Sequence, residues 1–140
     1  MILGHITKIG LKIFYVEKKE DIRYLIEKII TVLPRLKKPF YAFNCDFEKG
    51  ILFHVCGMRT SFDCELNYEK FEGKTKAISL LEIDNYDDPF FDSGYQCMLA
   101  WKKGNTELAV KHNRSCLLKE RDILIKRGFR KPDEFILVSI

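Results

Sequence analysis

The chain has 140 residues, of which 46% are apolar and 31% are charged, and its formal charge is +4 at neutral pH. This composition is typical of one folded domain with a single core and not of a disordered chain. The mild basic bias permits a nucleic-acid partner without requiring one. Apolar runs stay shorter than the roughly 18 residues that a transmembrane helix needs, so we predict no membrane partner.

Five cysteines occur at irregular spacings without a Cys-x-x-Cys pair: Cys45, Cys56, Cys64, Cys97 and Cys116. The N-terminus has no pattern typical of a secretory signal. Together these features predict reduced thiols in a cytoplasmic protein. A metal site built from the cysteines with His54 or His112 stays open as a less favoured interpretation.

The N-terminal part predicts a hairpin followed by a helix. β-rich runs over Ile2–Ile9 and Leu11–Val16 are separated by a turn at Gly10. Apolar residues then recur with helical spacing over Ile22–Leu33, and Pro34 ends the pattern.

The next predicted unit is an apolar strand over 40–43 followed by a helix. Asn44 suits the N-cap, because its side chain can accept a free N–H of the first turn. One helical face carries four apolar side chains, those of Phe47, Ile51, Leu52 and Val55. Glu48 falls within this apolar arc, where a carboxylate is costly unless something pairs with it. Open α/β sheets bind ligands beyond the ends of their strands, so Glu48 is the first candidate site residue.

The pattern from residue 60 onward predicts a short strand within 60–66, an apolar run of undecided type over 77–83 and a turn-rich loop over 85–94. A short helix over 95–101, a long helix and a terminal strand over 135–140 follow. Thr106 can cap the long helix, which continues to about Arg127, with Gly128 past its end. Strands that alternate with helices predict an α/β layer fold with at least one parallel strand pair.

The long helix carries a second group of polar residues on an apolar face. His112, Cys116 and Glu120 are four residues apart and form one ridge. The polar positions predicted to point away are Lys111, Arg114, Ser115, Arg121 and Asp122. Converging carboxylates suit divalent cations that activate water in phosphoryl transfer. The alternative is that these side chains are hydrogen-bonded core residues.

Two segments carry a resemblance to a known family. Asn44-x-x-Phe47-Glu48, directly after an apolar strand, resembles the second motif of RNase H-like (DEDD-type) 3′–5′ exonucleases. Residues 110–118, with their His112-Asn113 pair, resemble the third motif. The resemblance implies a single domain over residues 1–140, with an α/β fold: an RNase H-like mixed sheet opened by an N-terminal hairpin, with helices packed on it.

The resemblance also implies a function in nucleic-acid processing or binding, with Mg²⁺ or Mn²⁺ as the cofactor of an active enzyme. Glu48 and Glu120 would hold the metal, and His112 would orient or deprotonate the attacking water. Asn44 would shape the turn. Two features depart from the family pattern: the chain starts at the hairpin, where an Asp-x-Glu strand is expected first, and Cys116 stands where the third motif has an Asp.

These departures leave several interpretations open. The missing strand would come from upstream sequence or from a partner subunit, including a second copy in a homo-oligomer. Alternatively, other acids hold the metal, such as Asp63, Asp84, Asp87 or Asp88. The protein would otherwise be an inactive relative that binds nucleic acid or protein. The alternative function is a non-enzymatic protein-interaction module whose polar core residues are structural.

Nucleic-acid contacts are predicted on a basic cluster and one aromatic residue: Lys126, Arg127, Arg130, Lys131 and Trp101. Basic side chains can meet phosphates, and aromatic rings can stack on unpaired bases. The cluster also suits the negative end of the helix before it.

Overall fold

A computed structural model describes residues 1–7 and 10–129, together with the backbone of 136–139. The strands and α-helices of this part are β1 (Ile2–Thr7), β2 (Gly10–Tyr15), α1 (Ile22–Val32), β3 (Phe40–Ala42), α2 (Cys45–Cys56), β4 (Cys64–Glu65), α3 (Lys74–Leu80), α4 (Gly94–Lys102), α5 (Thr106–Lys126) and β5 (Ile136–Ser139). The predicted mixed α/β class is confirmed, and the apolar run of undecided type contributes to α3.

The strands form one five-stranded sheet in the order β2-β1-β5-β3-β4. β1 pairs antiparallel with β2, as the predicted hairpin requires, and β1 also pairs antiparallel with β5. β3 pairs parallel with both β5 and β4, which confirms the prediction of at least one parallel pair. The central strand is therefore β5, the last of the five in sequence.

The strand directions bring the start of β1 and the end of β3 to one end of the sheet. Gly4 of β1 pairs with Ser139, the last residue of β5, and Phe40 at the start of β3 pairs with Ile136. The last residue of β3 is Ala42, so Asn44 and α2 follow at the same end of the sheet as Met1. We call this the carboxyl end of the sheet.

Helices cover both faces of the sheet. Phe40 and Tyr41 are neighbours on β3, and successive strand residues point to opposite faces. Tyr41 belongs to a core cluster with Leu117 of α5, whereas Phe40 belongs to a second cluster with Leu25 of α1 and Leu52 of α2. Full burial of each such side chain contributes about 1.5–3 kcal/mol. These two clusters fix α5 on one face and α1 with α2 on the other.

The buried face of α2 differs from the prediction. Cys45, Glu48 and Leu52 are buried, whereas Phe47 is 55% exposed and Val55 is 40% exposed. Apolar residues surround most of α2, so the sequence pattern does not fix which side faces the sheet. The buried residues Cys45, Glu48 and Leu52 follow the spacing i, i+3 and i+7. Glu48 therefore lies between two core residues, closer to the centre of the buried face than we predicted.

A close contact joins β1 to α5 at Gly4. A Cβ atom at this position would lie 2.5 Å from Cδ1 of Leu117, whose side chain is fully buried. We therefore predict that Gly4→Ala lowers the free energy of unfolding by about 1–3 kcal/mol through overpacking. Urea unfolding would measure this loss. In a Leu117→Ala background the cost of Gly4→Ala should vanish, and strictly additive losses would contradict the contact.

Candidate active site

A cavity of about 740 Å³ opens at the carboxyl end of the sheet. The start of β1, the first half of α2, the start of α3, one side of α4 and one side of α5 contribute side chains to its wall. All three residues predicted to be catalytic, Glu48, His112 and Glu120, line it, and so do Cys116 and Trp101. The structure therefore brings the two predicted polar groups, on α2 and α5, to a common space.

Glu48 and Glu120 form an acidic pair in this cavity. Their side chains belong to residues that are only 8% and 3% exposed, and in each the Oε2 atom has no hydrogen-bond partner among the described residues. Burial and, after it, the negative charge of Glu120 together raise the pKa of Glu48 to about 8. Two buried carboxylates with free oxygen atoms favour a positively charged ligand.

Lys74 of α3 neutralises one side of this pair. Its Nζ lies 2.9 Å from Oε1 of Glu120. Burial opposes the charged form of the lysine, but the charge of Glu120 outweighs it and holds the pKa of Lys74 above its ordinary value. The ammonium group is thus the cation that the described residues supply to the pair, and it leaves Glu48 without a direct salt bridge.

His112 is held by a carboxylate that the sequence analysis did not connect to it. Its Nδ1 lies 2.8 Å from Oδ1 of Asp88, and its Nε2 lies 3.5 Å from Sγ of Cys116. Burial disfavours the ionised form of Asp88, but donors led by His112 overcome this and hold the pKa of Asp88 below its ordinary range. An ionised Asp88 requires Nδ1 of His112 to carry a proton. The acceptor nitrogen of the neutral ring is then Nε2, which faces Cys116.

Asp88 itself is positioned by the buried ammonium group of Lys119. The Lys119 side chain is fully buried, and its Nζ donates to Asp88 at 2.9 Å, Asp92 at 2.8 Å and Asn85 at 3.0 Å. All three protons of the ammonium group therefore have an acceptor. The backbone N–H groups of Phe90 and Asp92 also donate to the carboxylate of Asp88. We call Lys119, Asn85, Asp88 and Asp92 the Lys119 cluster.

The loop that carries these acceptors is strained. Tyr86, Asp87, Phe91 and Asp92 have φ angles of 54°, 55°, 47° and 68°, in the left-handed region that residues other than glycine rarely adopt. Such residues persist only where surrounding contacts determine their conformation. The Lys119 cluster supplies these contacts, so it fixes the loop and, through Asp88, the ring of His112.

Two further predictions are corrected by the structure. Ser115 was expected to point away from the core, but it is fully buried and donates to the carbonyl of Tyr86 at 2.8 Å. Asn44 occupies the predicted N-cap of α2, yet its side chain makes no capping hydrogen bond. The carboxylate of Glu65 instead accepts from the N–H of Cys45 at 3.2 Å.

Among the other acids named as alternative ligands, Asp88 alone lies beside the predicted site residues. Asp63 is exposed and accepts from the N–H of Phe40. Asp84 and Asp87 are exposed. Because Asp88 accepts from four donors, it supports His112 and has no oxygen atom left free.

The guanidinium group of Arg127 is bonded to other residues of the protein. Its Nη1 donates to the carboxylate of Glu72 at 2.8 Å and also to the carbonyl of Leu66, and the guanidinium lies 4.0 Å from the ring centre of Tyr68. The side chain is 2% exposed. The guanidinium that we predicted to contact phosphate is therefore engaged within the protein, where Arg127 holds the 66–72 segment against the end of α5.

The remaining residues predicted to contact nucleic acid have different surroundings. Trp101 lines the cavity, but its indole N–H donates to the carbonyl of Val16 at 2.8 Å. Lys126 is exposed at the end of α5, and it is not part of the cavity wall. Arg130 and Lys131 lie outside the described residues.

The fold and the cavity define a mixed α/β protein with a buried site of two carboxylates, an imidazole and a thiol. Comparisons of the chain with protein-family models, with curated proteins and with solved structures give no match in any of the three. Within the described part of the chain, no helix combines the length and the apolar character needed to cross a membrane.

We predict that Lys119→Met destabilises the protein strongly. The substitution leaves Asp88 and Asp92 buried without their cation, a change that costs about 3–5 kcal/mol. Urea unfolding at neutral pH would measure the loss. The matched control is Lys111→Met, an exposed position on the same helix, for which a change within about 0.5 kcal/mol is expected. Equal losses in the two variants would contradict the cluster's role.

We also predict a pH-dependent effect of Glu48→Gln. The pKa of Glu48 is about 8 in the folded protein against an ordinary value of 4.5. Folding with a protonated Glu48 therefore stabilises the protein fully below pH 4.5, and this contribution is lost as the pH rises to about 8. The amide side chain of the variant would carry no charge at any pH. The melting temperature of Glu48→Gln relative to the unmodified protein should therefore rise between about pH 5 and pH 9, a range bracketing these values. Glu17→Gln, at an exposed position, is the control, and parallel curves for all three proteins would contradict the raised pKa.

Proposed function

We propose that the protein is a metal-dependent nuclease with an RNase H-like arrangement that acts on single-stranded nucleic acid at the cavity. One observation carries the proposal: Glu48 and Glu120, from two different helices, are buried beside the same cavity and each keeps an oxygen atom without a partner among the described residues. This is the arrangement that the resemblance expects of metal-holding acids.

The topology of the sheet supports the proposal. A strand placed ahead of the hairpin would normally pair with the free side of β1 and run antiparallel to it. β5 occupies that side of β1, has that direction, and continues the sheet to β3. In this proposal β5 takes the position and direction expected of the family's first strand, although it follows α5 in the chain.

The described donors fit one divalent cation. Glu48 and Glu120 supply oxygen atoms, which Mg²⁺ and Mn²⁺ prefer. The other charged groups of the wall are Lys74, which is paired with Glu120, and Asp92, which is bound by Lys119. A bound cation would supply Lewis-acid stabilisation of a phosphodiester oxygen. It would also relieve the repulsion between this acidic wall and a phosphate group.

His112 is the candidate base. Asp88 fixes the proton on Nδ1 and orients the ring, so that Nε2 can accept a proton from an attacking water. In the free protein the thiol of Cys116 lies next to this nitrogen. Asp88 is a positioning residue in this proposal, since it acts through His112 and does not line the cavity.

The shape of the cavity favours an unpaired strand. Its volume lies within the range of about 300–1,000 Å³ typical of small-ligand sites, which suits one nucleotide. Phe47 and Tyr95 belong to the wall and are 55% and 64% exposed, so their rings can stack on bases. Lys74 can meet a phosphate group once a cation has replaced it at Glu120.

The test is degradation of end-labelled single-stranded DNA and RNA in the presence of Mg²⁺ or Mn²⁺. We expect cleavage that a chelator stops and that Glu48→Gln reduces by about 100-fold or more, the scale of losing one electrostatic or acid–base group. Glu107→Gln, at an exposed position on α5, is the matched control and should retain full activity. Equal activity in Glu48→Gln and the unmodified protein would remove Glu48 from the mechanism.

Cys116→Asp offers a second arm of this test. Cys116 stands where the third motif has an Asp, and an added carboxylate would give the cation a third oxygen ligand. The concentration of Mg²⁺ needed for half-maximal activity should therefore fall in this variant. An increase in that concentration would contradict a cation placed between α2 and α5.

A second candidate function rests on the exposed apolar side chains of the outer surface. Phe71 is 92% exposed and Leu80 is 68% exposed, and Phe53 on α2 is 47% exposed. Large exposed apolar side chains also occur at protein–protein interfaces. A protein-interaction module without enzymatic activity would bind no labelled oligonucleotide at low salt and would show no metal-dependent shift in melting temperature.

A further inference from the structure

We infer that His112 and Cys116, together with Glu120, form a binding site for a zinc-type metal ion. The three residues are four apart on α5, and all are at least nine-tenths buried and line the cavity. This inference does not depend on nuclease activity: with zinc bound, Nε2 of His112 is a ligand and is not free to act as a base, and the site is tested by binding alone.

The separation of the two heteroatoms fits such an ion. Nε2 of His112 and Sγ of Cys116 are 3.5 Å apart. In a tetrahedral site with Zn–N of about 2.0–2.1 Å and Zn–S of about 2.3 Å, a nitrogen and a sulfur ligand are about 3.6 Å apart. In the absence of an ion the same contact is a thiol–imidazole hydrogen bond. The two side chains are therefore already at the spacing that a shared metal requires.

Asp88 gives the imidazole the support that metal-binding histidines usually have. A carboxylate or carbonyl on the far nitrogen fixes the ring and raises its basicity toward a metal. Asp88 accepts from Nδ1 of His112 at 2.8 Å, and Lys119 holds Asp88 in turn. A carboxylate oxygen of Asp88 lies within 4.8 Å of the ligand atoms of His112 and Cys116, but its four donors make it a supporting group.

Glu120 lies outside the group whose ligand atoms are within 4.8 Å of one another, so its side chain would turn toward the ion to become the third protein ligand. Glu120 is one turn beyond Cys116, and its Oε2 atom is buried without a hydrogen-bond partner in the described part of the chain. Three protein ligands with a fourth position open to a cavity are typical of catalytic zinc sites. Thiolate and imidazole ligands select Zn²⁺ or Co²⁺ over Mg²⁺, which prefers oxygen atoms.

Cobalt provides the direct test, because Co²⁺ bound to a thiolate absorbs in the near ultraviolet and four-coordinate Co²⁺ absorbs strongly in the visible range. Titration of the reduced protein with Co²⁺ under nitrogen should produce both bands at one equivalent, with release of the thiol proton of Cys116. Zn²⁺ should abolish the bands, and excess Mg²⁺ should not. Absence of a thiolate band in the folded protein would overturn the inference.

Three variants assign the ligands. Cys116→Ser should lose the near-ultraviolet band, and His112→Gln should weaken Co²⁺ binding at least tenfold. Cys56→Ser, at a half-buried cysteine of α2 outside the cavity wall, is the control and should bind Co²⁺ unchanged. A thiolate band that persists in Cys116→Ser would overturn the assignment.

A measurement on the unmodified protein guards against variants that do not fold. Zn²⁺ should protect Cys116, but not Cys56, from alkylation under mild denaturation, as read by mass spectrometry. Equal alkylation of Cys116 with and without Zn²⁺ would overturn the inference. Cobalt bands without nuclease activity would uphold this metal site and remove the proposed function. Mg²⁺-dependent cleavage without cobalt bands would do the reverse.

Discussion

The ammonium group of Lys119 is the interaction on which the geometry of the cavity depends. A buried charge is tolerated only when it is paired and fully hydrogen-bonded, and Lys119 meets this requirement with three acceptors from one loop. The loop is thereby held in a strained course, and Asp88 is held under the ring of His112. The orientation of the imidazole is thus determined two contacts away, at a residue that does not line the cavity.

One side of the long helix α5 packs in the core, and another side lines the cavity. Leu117 and Leu124 pack in the core cluster that covers one face of the sheet, while the ridge from His112 to Glu120 faces the cavity. Because both sides are buried, the polar groups have fixed positions and low hydration. Electrostatic interactions are stronger under these conditions than at a surface, which is why a single unpaired carboxylate such as Glu48 has a strongly raised pKa.

Local patterns predicted the elements well where one physical signal dominated. The apolar spacing that ends at Pro34 predicted α1, and Gly128, at a φ of 70°, marks the end of α5 as expected. The facing of α2 was predicted only in part, since its apolar residues surround the helix. The role of Lys119 could not be predicted, because its partners lie 27 to 34 residues away and lysine is rarely buried. The pairing of Arg127 with Glu72 is equally non-local.

The central position of β5 has a consequence for how the protein forms during synthesis. The hairpin of β1 and β2 and the pair of β3 and β4 can assemble as separate ribbons, but they share no strand until residues 136–139 emerge from the ribosome. Until that point, each ribbon has an edge of unpaired backbone donors and acceptors, which can pair with a strand of another molecule. A nascent chain paused before this point would therefore expose one edge of β1 and one edge of β3 to pairing with strands of other molecules.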